Sequence, residues 1–256
     1  MADNRQLGML LVLTGAALAV WSFGDRDTDE QHEVKDKISV VQLDIKEGDV
    51  TIEVSDNAET TVREKRSYWL VKRGDAYRVD GDTLHLNSDC GWNCEADYVV
   101  TVPRGTTVTG ETGSGDLVLN GVAGVDTSSR SGDVVVRDVT GTVSVETTSG
   151  DVKLNRVKGL LDVEVSAGDI TGQHLSGGQV KAKTSSGDIQ LGLDEANSVT
   201  AEGTSSDIVV VVPDGSYEVT ADTTSGDTKN TVPSATGGTH RLDARTTSGD
   251  ISLRTS

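Results

Sequence analysis

Residues 143–154 read Val-Ser-Val-Glu-Thr-Thr-Ser-Gly-Asp-Val-Lys-Leu, and this stretch decides the fold. Val143, Val145 and Thr147 alternate with Ser144, Glu146 and Thr148, the period of two that marks a half-buried strand. Ser149-Gly150-Asp151 then breaks the alternation. Gly supplies a backbone conformation that residues with a Cβ avoid. Asp is expected to bond its side chain to nearby backbone N–H groups, as in an Asx turn. Val152 and Leu154 open a second short strand.

The unit recurs along the chain. Its aspartates are Asp116, Asp133, Asp151, Asp169, Asp188, Asp207, Asp227 and Asp250, spaced 17, 18, 18, 19, 19, 20 and 23 residues apart. Ala167 replaces the Ser of one copy and Ser206 the Gly of another. Leu161, Val163 and Val165 precede Asp169 as Val143, Val145 and Thr147 precede Asp151. The inward face is expected to shrink toward each turn, from aliphatic to Thr to Ser. Two or three short strands per copy cannot bury a core alone. Stacked in register they can, each strand pairing with its equivalent in the next rung. The prediction is an all-β, single-domain parallel β-solenoid of ~18–20-residue rungs. Eight rungs at ~4.8 Å make a rod about 40 Å long. Aromatics make up 3% of the chain, which suits a narrow interior better than a sandwich core.

An earlier copy lies upstream, where Val41, Leu43 and Ile45 alternate ahead of Glu47-Gly48-Asp49. The solenoid domain is therefore expected over 38–256, with irregular rungs and a loop insertion in 38–104 and regular repeats in 105–256. Before it, residues 7–24 are apolar and uncharged. Eighteen helical residues span ~27 Å, close to a bilayer's hydrocarbon core. Arg5 precedes this segment and Asp25, Asp27, Asp29 and Glu30 follow it. The charge bias keeps residues 1–6 in the cytoplasm and exports the rest. A transmembrane signal anchor is the first reading. A cleaved signal peptide, with Ala17-Leu18-Ala19 as its site and a secreted product, is the second. Residues 25–37 read as an acidic flexible spacer.

In an exported chain, Cys90 and Cys94 are expected to form a disulfide. The alternatives are two unpaired thiols or a zinc site, for which only His85 stands near. The formal net charge is −18, which disfavours nucleic-acid binding through phosphate. Stacked aspartates repel by roughly 0.9 kcal/mol per neighbouring pair in water. Hydrogen bonds from turn N–H groups offset that, so the aspartates are read first as turn formers. Calcium bridging between rungs is the alternative reading of the same eight residues. No catalytic constellation is evident, since His32, His85, His174 and His240 are scattered.

A leading apolar segment, a short Cys loop, the strand Tyr98-Val-Val-Thr-Val-Pro103 and Thr112-Gly-Ser-Gly-Asp116 with its repeats resemble the bacterial putative-adhesin family, a domain of unknown function. The resemblance runs from about Val40 to the C-terminus. It implies a surface-located β-solenoid and carries no catalytic residues. Three functions compete. The first is a non-enzymatic adhesin-like module that meets an envelope or surface component, protein or glycan. The second is an end-to-end self-assembling scaffold, because the copy at Asp250–Arg254 shows no cap after it. The third, disfavoured, is a polysaccharide-processing β-helix enzyme.

Overall fold

The computed structural model describes residues 26–56, 59–68, 77–88 and 95–256. The predicted apolar segment 7–24 and Cys90 and Cys94 lie outside these residues. Among the described residues no helix is long and apolar enough to cross a membrane.

The irregular region holds β1 (Arg26–Val34), β2 (Val40–Glu47), β3 (Val50–Ser55), β4 (Thr60–Tyr68), β5 (Tyr77–Asp80), β6 (Thr83–Asn87) and β7 (Glu95–Pro103). Regular rungs follow, two strands each: β8 (Thr107–Ser114) with β9 (Leu117–Asn120), β10 (Gly124–Ser131) with β11 (Val134–Val139), and β12 (Val143–Ser149) with β13 (Val152–Val157). They continue as β14 (Leu161–Ala167) with β15 (Ile170–Leu175), β16 (Val180–Ser186) with β17 (Ile189–Leu193), and β18 (Val199–Ser205) with β19 (Ile208–Val212). The last are β20 (Tyr217–Ser225) with β21 (Thr228–Asn230), and β22 (His240–Ser248) with β23 (Ile251–Thr255).

Each rung gives one strand to each of two facing sheets. The strand before the turn joins an 11-stranded sheet and the strand after it a 12-stranded sheet. Pairing between rungs is parallel and keeps equivalent residues together: Val143 stands beside Leu161 and Val125, and Val152 beside Ile170 and Val134. The inward columns are aliphatic and buried, as Val125, Val143, Leu161, Val180, Val199 and Leu242 illustrate. Fully burying a side chain of this kind contributes about 1.5–3 kcal/mol. Repeated up the stack, it holds together rungs that are unstable singly. The predicted solenoid is present, with two strands per rung.

Several expectations are corrected. The stack does not follow chain order at its ends. At one end β6 and β7 lie outside β2 and β3, which sit against β8 and β9. At the other, β22 and β23 insert between β18–β19 and β20–β21. The final copy is therefore interior, and Ser256 N–H bonds Val212 C=O at 3.0 Å. The free edge belongs to β20 and β21.

The stretch 25–37, expected as a spacer, instead contributes β1, which pairs antiparallel with β4. The charge of Asp29 is matched by that partner. Asp29 stands opposite Lys65, and Arg63 grips the Asp29 carboxylate through Nε at 2.8 Å and Nη2 at 2.6 Å. β4 and β5 are also antiparallel, on β7 and β6, so three strands cover the irregular end of an otherwise parallel stack. The Ser ahead of Gly is not inward either: Ser149 is exposed while Thr147 is buried, because the chain has already left the core.

Candidate functional site: the aspartate edge

At every turn between the two sheets an aspartate stands above the aspartate of the rung below. The N–H of Asp116 donates to Asp49 Oδ1 at 2.8 Å, and that of Asp133 to Asp116 Oδ1 at 2.9 Å. The same bond joins Asp151 to Asp133, Asp169 to Asp151, Asp188 to Asp169 and Asp207 to Asp188. It continues from Asp250 to Asp207 and ends with Asp227 on Asp250, each at 2.8 Å. At the irregular end Asp49 N–H donates to Asp97 Oδ1 at 2.9 Å. All eight predicted aspartates stand in one line, extended by Asp49 and Asp97.

The line corrects the local-turn expectation. Each carboxylate accepts from the next rung and not from its own turn. A backbone bond runs the opposite way beside it, as when Val134 N–H donates to Asp151 C=O at 2.8 Å. Two bonds of opposite sense thus clamp each pair of turns. A charged acceptor strengthens the side-chain bond, which offsets the repulsion of stacked carboxylates.

Glycine makes the close approach feasible. Gly150 has φ 117°, and a Cβ on it would lie 2.2 Å from Gly132 O. Two buried hydroxyls behind these turns bond to backbone: Thr147 Oγ1 donates to Ser149 C=O and Thr184 Oγ1 to Gly168 C=O, both at 3.2 Å.

Cations occupy part of the edge. Lys153 Nζ reaches Asp133 Oδ2 at 2.8 Å and Asp151 Oδ2 at 3.4 Å. That hydrogen bond, helped by the Asp151 N–H, holds the Asp133 carboxyl below the usual carboxylate range. On the adjoining face Lys183 pairs with Glu164 at 2.6 Å and lowers its pKa, and Lys181 pairs with Asp162 at 3.1 Å.

With Oδ1 engaged by an N–H, each turn leaves chiefly one carboxylate oxygen for a cation. Calcium wants six to eight oxygens. Two neighbouring rungs supply a small part of that, so the line fits a structural role better than a calcium column.

Other polar groups gather at positions outside the predicted aspartates. Across the rod, Asp138, Arg156, His174 and Asp194 form a second column. Arg156 binds Asp138 bidentately at 2.6 and 2.8 Å and holds its carboxyl low, and His174 Nδ1 lies 3.2 Å from both Asp194 oxygens. Asp138, Arg156 and His174 all have positive φ, between 54° and 57°. Their recurrence every 18 to 20 residues was available as a signal.

At the irregular end Glu64 and Arg66 are buried together at 3.2 Å. Tyr98 stands beside Glu64 and donates to Asn87 C=O at 2.7 Å. Burial, then the Glu64 charge, push its phenol well above the ordinary value. A cleft of about 610 Å³ opens nearby on Asp44, Tyr77, Arg78, His85 and Asn87.

Comparison with known proteins places these features in a family. A structure described as a putative adhesin from Bacteroides fragilis NCTC 9343 is 14% identical, covering 90% of this chain and 97% of its own, with TM-score 0.48. Another, described as a putative cell adhesion protein from Clostridium sporogenes ATCC 15579, is 11% identical over 90% and 100%, with TM-score 0.33. No curated protein matches the chain. The family model described as Toastrack DUF4097 matches residues 38–254, from the approach to β2 into β23. The chain belongs to the Toastrack DUF4097 family, a domain of unknown function.

Proposed function

We propose that the chain is a non-enzymatic, adhesin-like binding module of the cell envelope, anchored by residues 7–24 with its solenoid displayed outside the cytoplasmic membrane. The observation that carries this reading is the periodic exterior. Side chains stand in columns one rung apart, about 4.8 Å. A rigid repetitive face suits a repetitive partner, whether a glycan or a protein array, because many weak contacts engage together. The apolar segment supports the anchor, and the net charge of −18 argues against nucleic acid as the partner. The names carried by the two structural neighbours agree with an adhesin-like role.

Deleting the gene tests the reading. Surface attachment or resistance to envelope stress should fall and return on complementation. Unchanged attachment together with unchanged stress sensitivity would sink it.

A second reading, self-assembly, is favoured by one feature. β20 and β21 have a neighbour on one side, and all three residues of β21 are exposed. Part of this edge is covered, since Val219 N–H donates to Ser234 Oγ and Ala235 N–H donates to Tyr217 C=O. Assembly would use this level and not the C-terminal copy. A strict monomer by light scattering at high concentration would exclude it.

A further inference from the structure

We propose that Glu30, His32 and Glu64 form a binding site for a divalent transition-metal ion of the zinc type, which fastens β1 to the end of the solenoid. The proposal is independent of the adhesin-like reading. In the antiparallel pair of β1 and β4, Glu30 stands directly opposite Glu64. His32 lies two residues along β1, on the same face. One ligand atom from each of the three lies within 4.8 Å of the other two. His32 Nε2 is 3.6 Å from Glu30 Oε2. That is too long for a hydrogen bond. It is close to the ~3.4 Å separating two ligands held at ~2.1 Å around a tetrahedral ion.

The surroundings hold these groups in place. Glu64 is 2% exposed. Its Oε2 accepts from Arg66 Nη2 at 3.2 Å, which orients the carboxylate. The Tyr77 ring packs against the His32 imidazole at 5.3 Å between centroids. One imidazole and two carboxylates suit zinc and its neighbours. They are too few oxygens for calcium. The fourth zinc position would take water. An ion here would join β1, whose sheet neighbour among the described residues is β4 alone, to a residue buried at the end of the rod.

The test uses the full-length chain without a histidine tag, stripped with chelator and titrated with zinc chloride against a chromophoric zinc indicator. One zinc per chain is expected, with the affinity falling at least tenfold in His32→Ala and in Glu30→Gln. His174→Ala and a Cys90→Ser/Cys94→Ser double variant should bind as the parent does. Zinc should also slow tryptic cleavage at Lys35 and Lys37 in the parent and not in His32→Ala. β1 is an end strand, so these variants retain the rungs, which circular dichroism would verify. Glu64→Gln breaks a buried ion pair, and Glu30→Gln carries the test should that variant unfold. Absence of zinc binding at micromolar concentrations, binding untouched by His32→Ala, or binding lost only with the cysteines would each overturn the proposal.

Discussion

Ser206 fills the space left by Gly203: a Cβ built on Gly203 would lie 2.6 Å from the Ser206 Cβ. Gly203 stands in the inward column beside Thr184, and Ser206 at the turn position that Gly occupies in the other regular copies. The Ser206 side chain turns inward and is 3% exposed. The two departures from the repeat are one compensated exchange.

Gly203→Thr alone should therefore overpack the rung and cost about 1–3 kcal/mol. Gly203→Thr with Ser206→Gly recreates the Thr-Thr-Ser-Gly-Asp of residues 147–151 and should recover most of that loss. Urea denaturation of the single and double variants measures the coupling. Additive effects would contradict the exchange.

The aspartate line has an inside and an end. Asp151 Oδ1 accepts the Asp169 N–H, whereas Asp227 lies at the edge rung, with no donor rung beyond it among the described residues. Asp151→Ala should cost about 1 kcal/mol or more. Asp227→Ala should be close to neutral. Asp151→Asn keeps an acceptor and should fall between them. Midpoints of chemical denaturation give the order.

Stability should decline at both pH extremes. The Asp133 and Glu164 pKa values are lowered, so their contribution is present above the unfolded carboxylate pKa and lost as pH falls through the folded one. Lys153 and Lys183 are raised by the same partners, so theirs is full below the unfolded lysine pKa and lost as pH rises through the folded one. These pairs are exposed, so each contributes little and weakens in salt. Lys153→Met should flatten the acid limb of melting temperature against pH at low ionic strength.

Calcium should act on the edge as a screening ion. With Oδ1 of the stacked aspartates engaged, millimolar calcium should raise the melting temperature no more than magnesium at equal concentration. A shift specific to calcium and removed by Asp188→Asn would reverse this view of the line.

The alternation around Asp151 and its counterparts contained the strands, the turns and the inward columns, because these follow from spacing within one copy. What spacing could not convey is which copy docks on which. Val199 meets Leu242 and not Val219, although all three occupy the same place in their repeats. Equivalent inward faces fit one another almost equally, so the order of rungs depends on the connections and not on the motif. The direction of the carboxylates was hidden for a related reason: an aspartate at a turn can serve its own turn or the next. β1 was misread because the charges that match Asp29 lie on Arg63 and Lys65, more than thirty residues away. Asp97 was missed because Ala96 stands where the motif has Gly, and Tyr98, Val100 and Val102 were the remaining signal.

The late copy at Asp250 behaves as a keystone. While a chain is delivered from its N-terminus, rungs through β19 can settle on their predecessors as they arrive. β20 and β21 cannot, since their partners β22 and β23 are still to come. A truncation before His240 would strand the preceding segment, and completion of this end of the rod is thereby made to wait for β22 and β23.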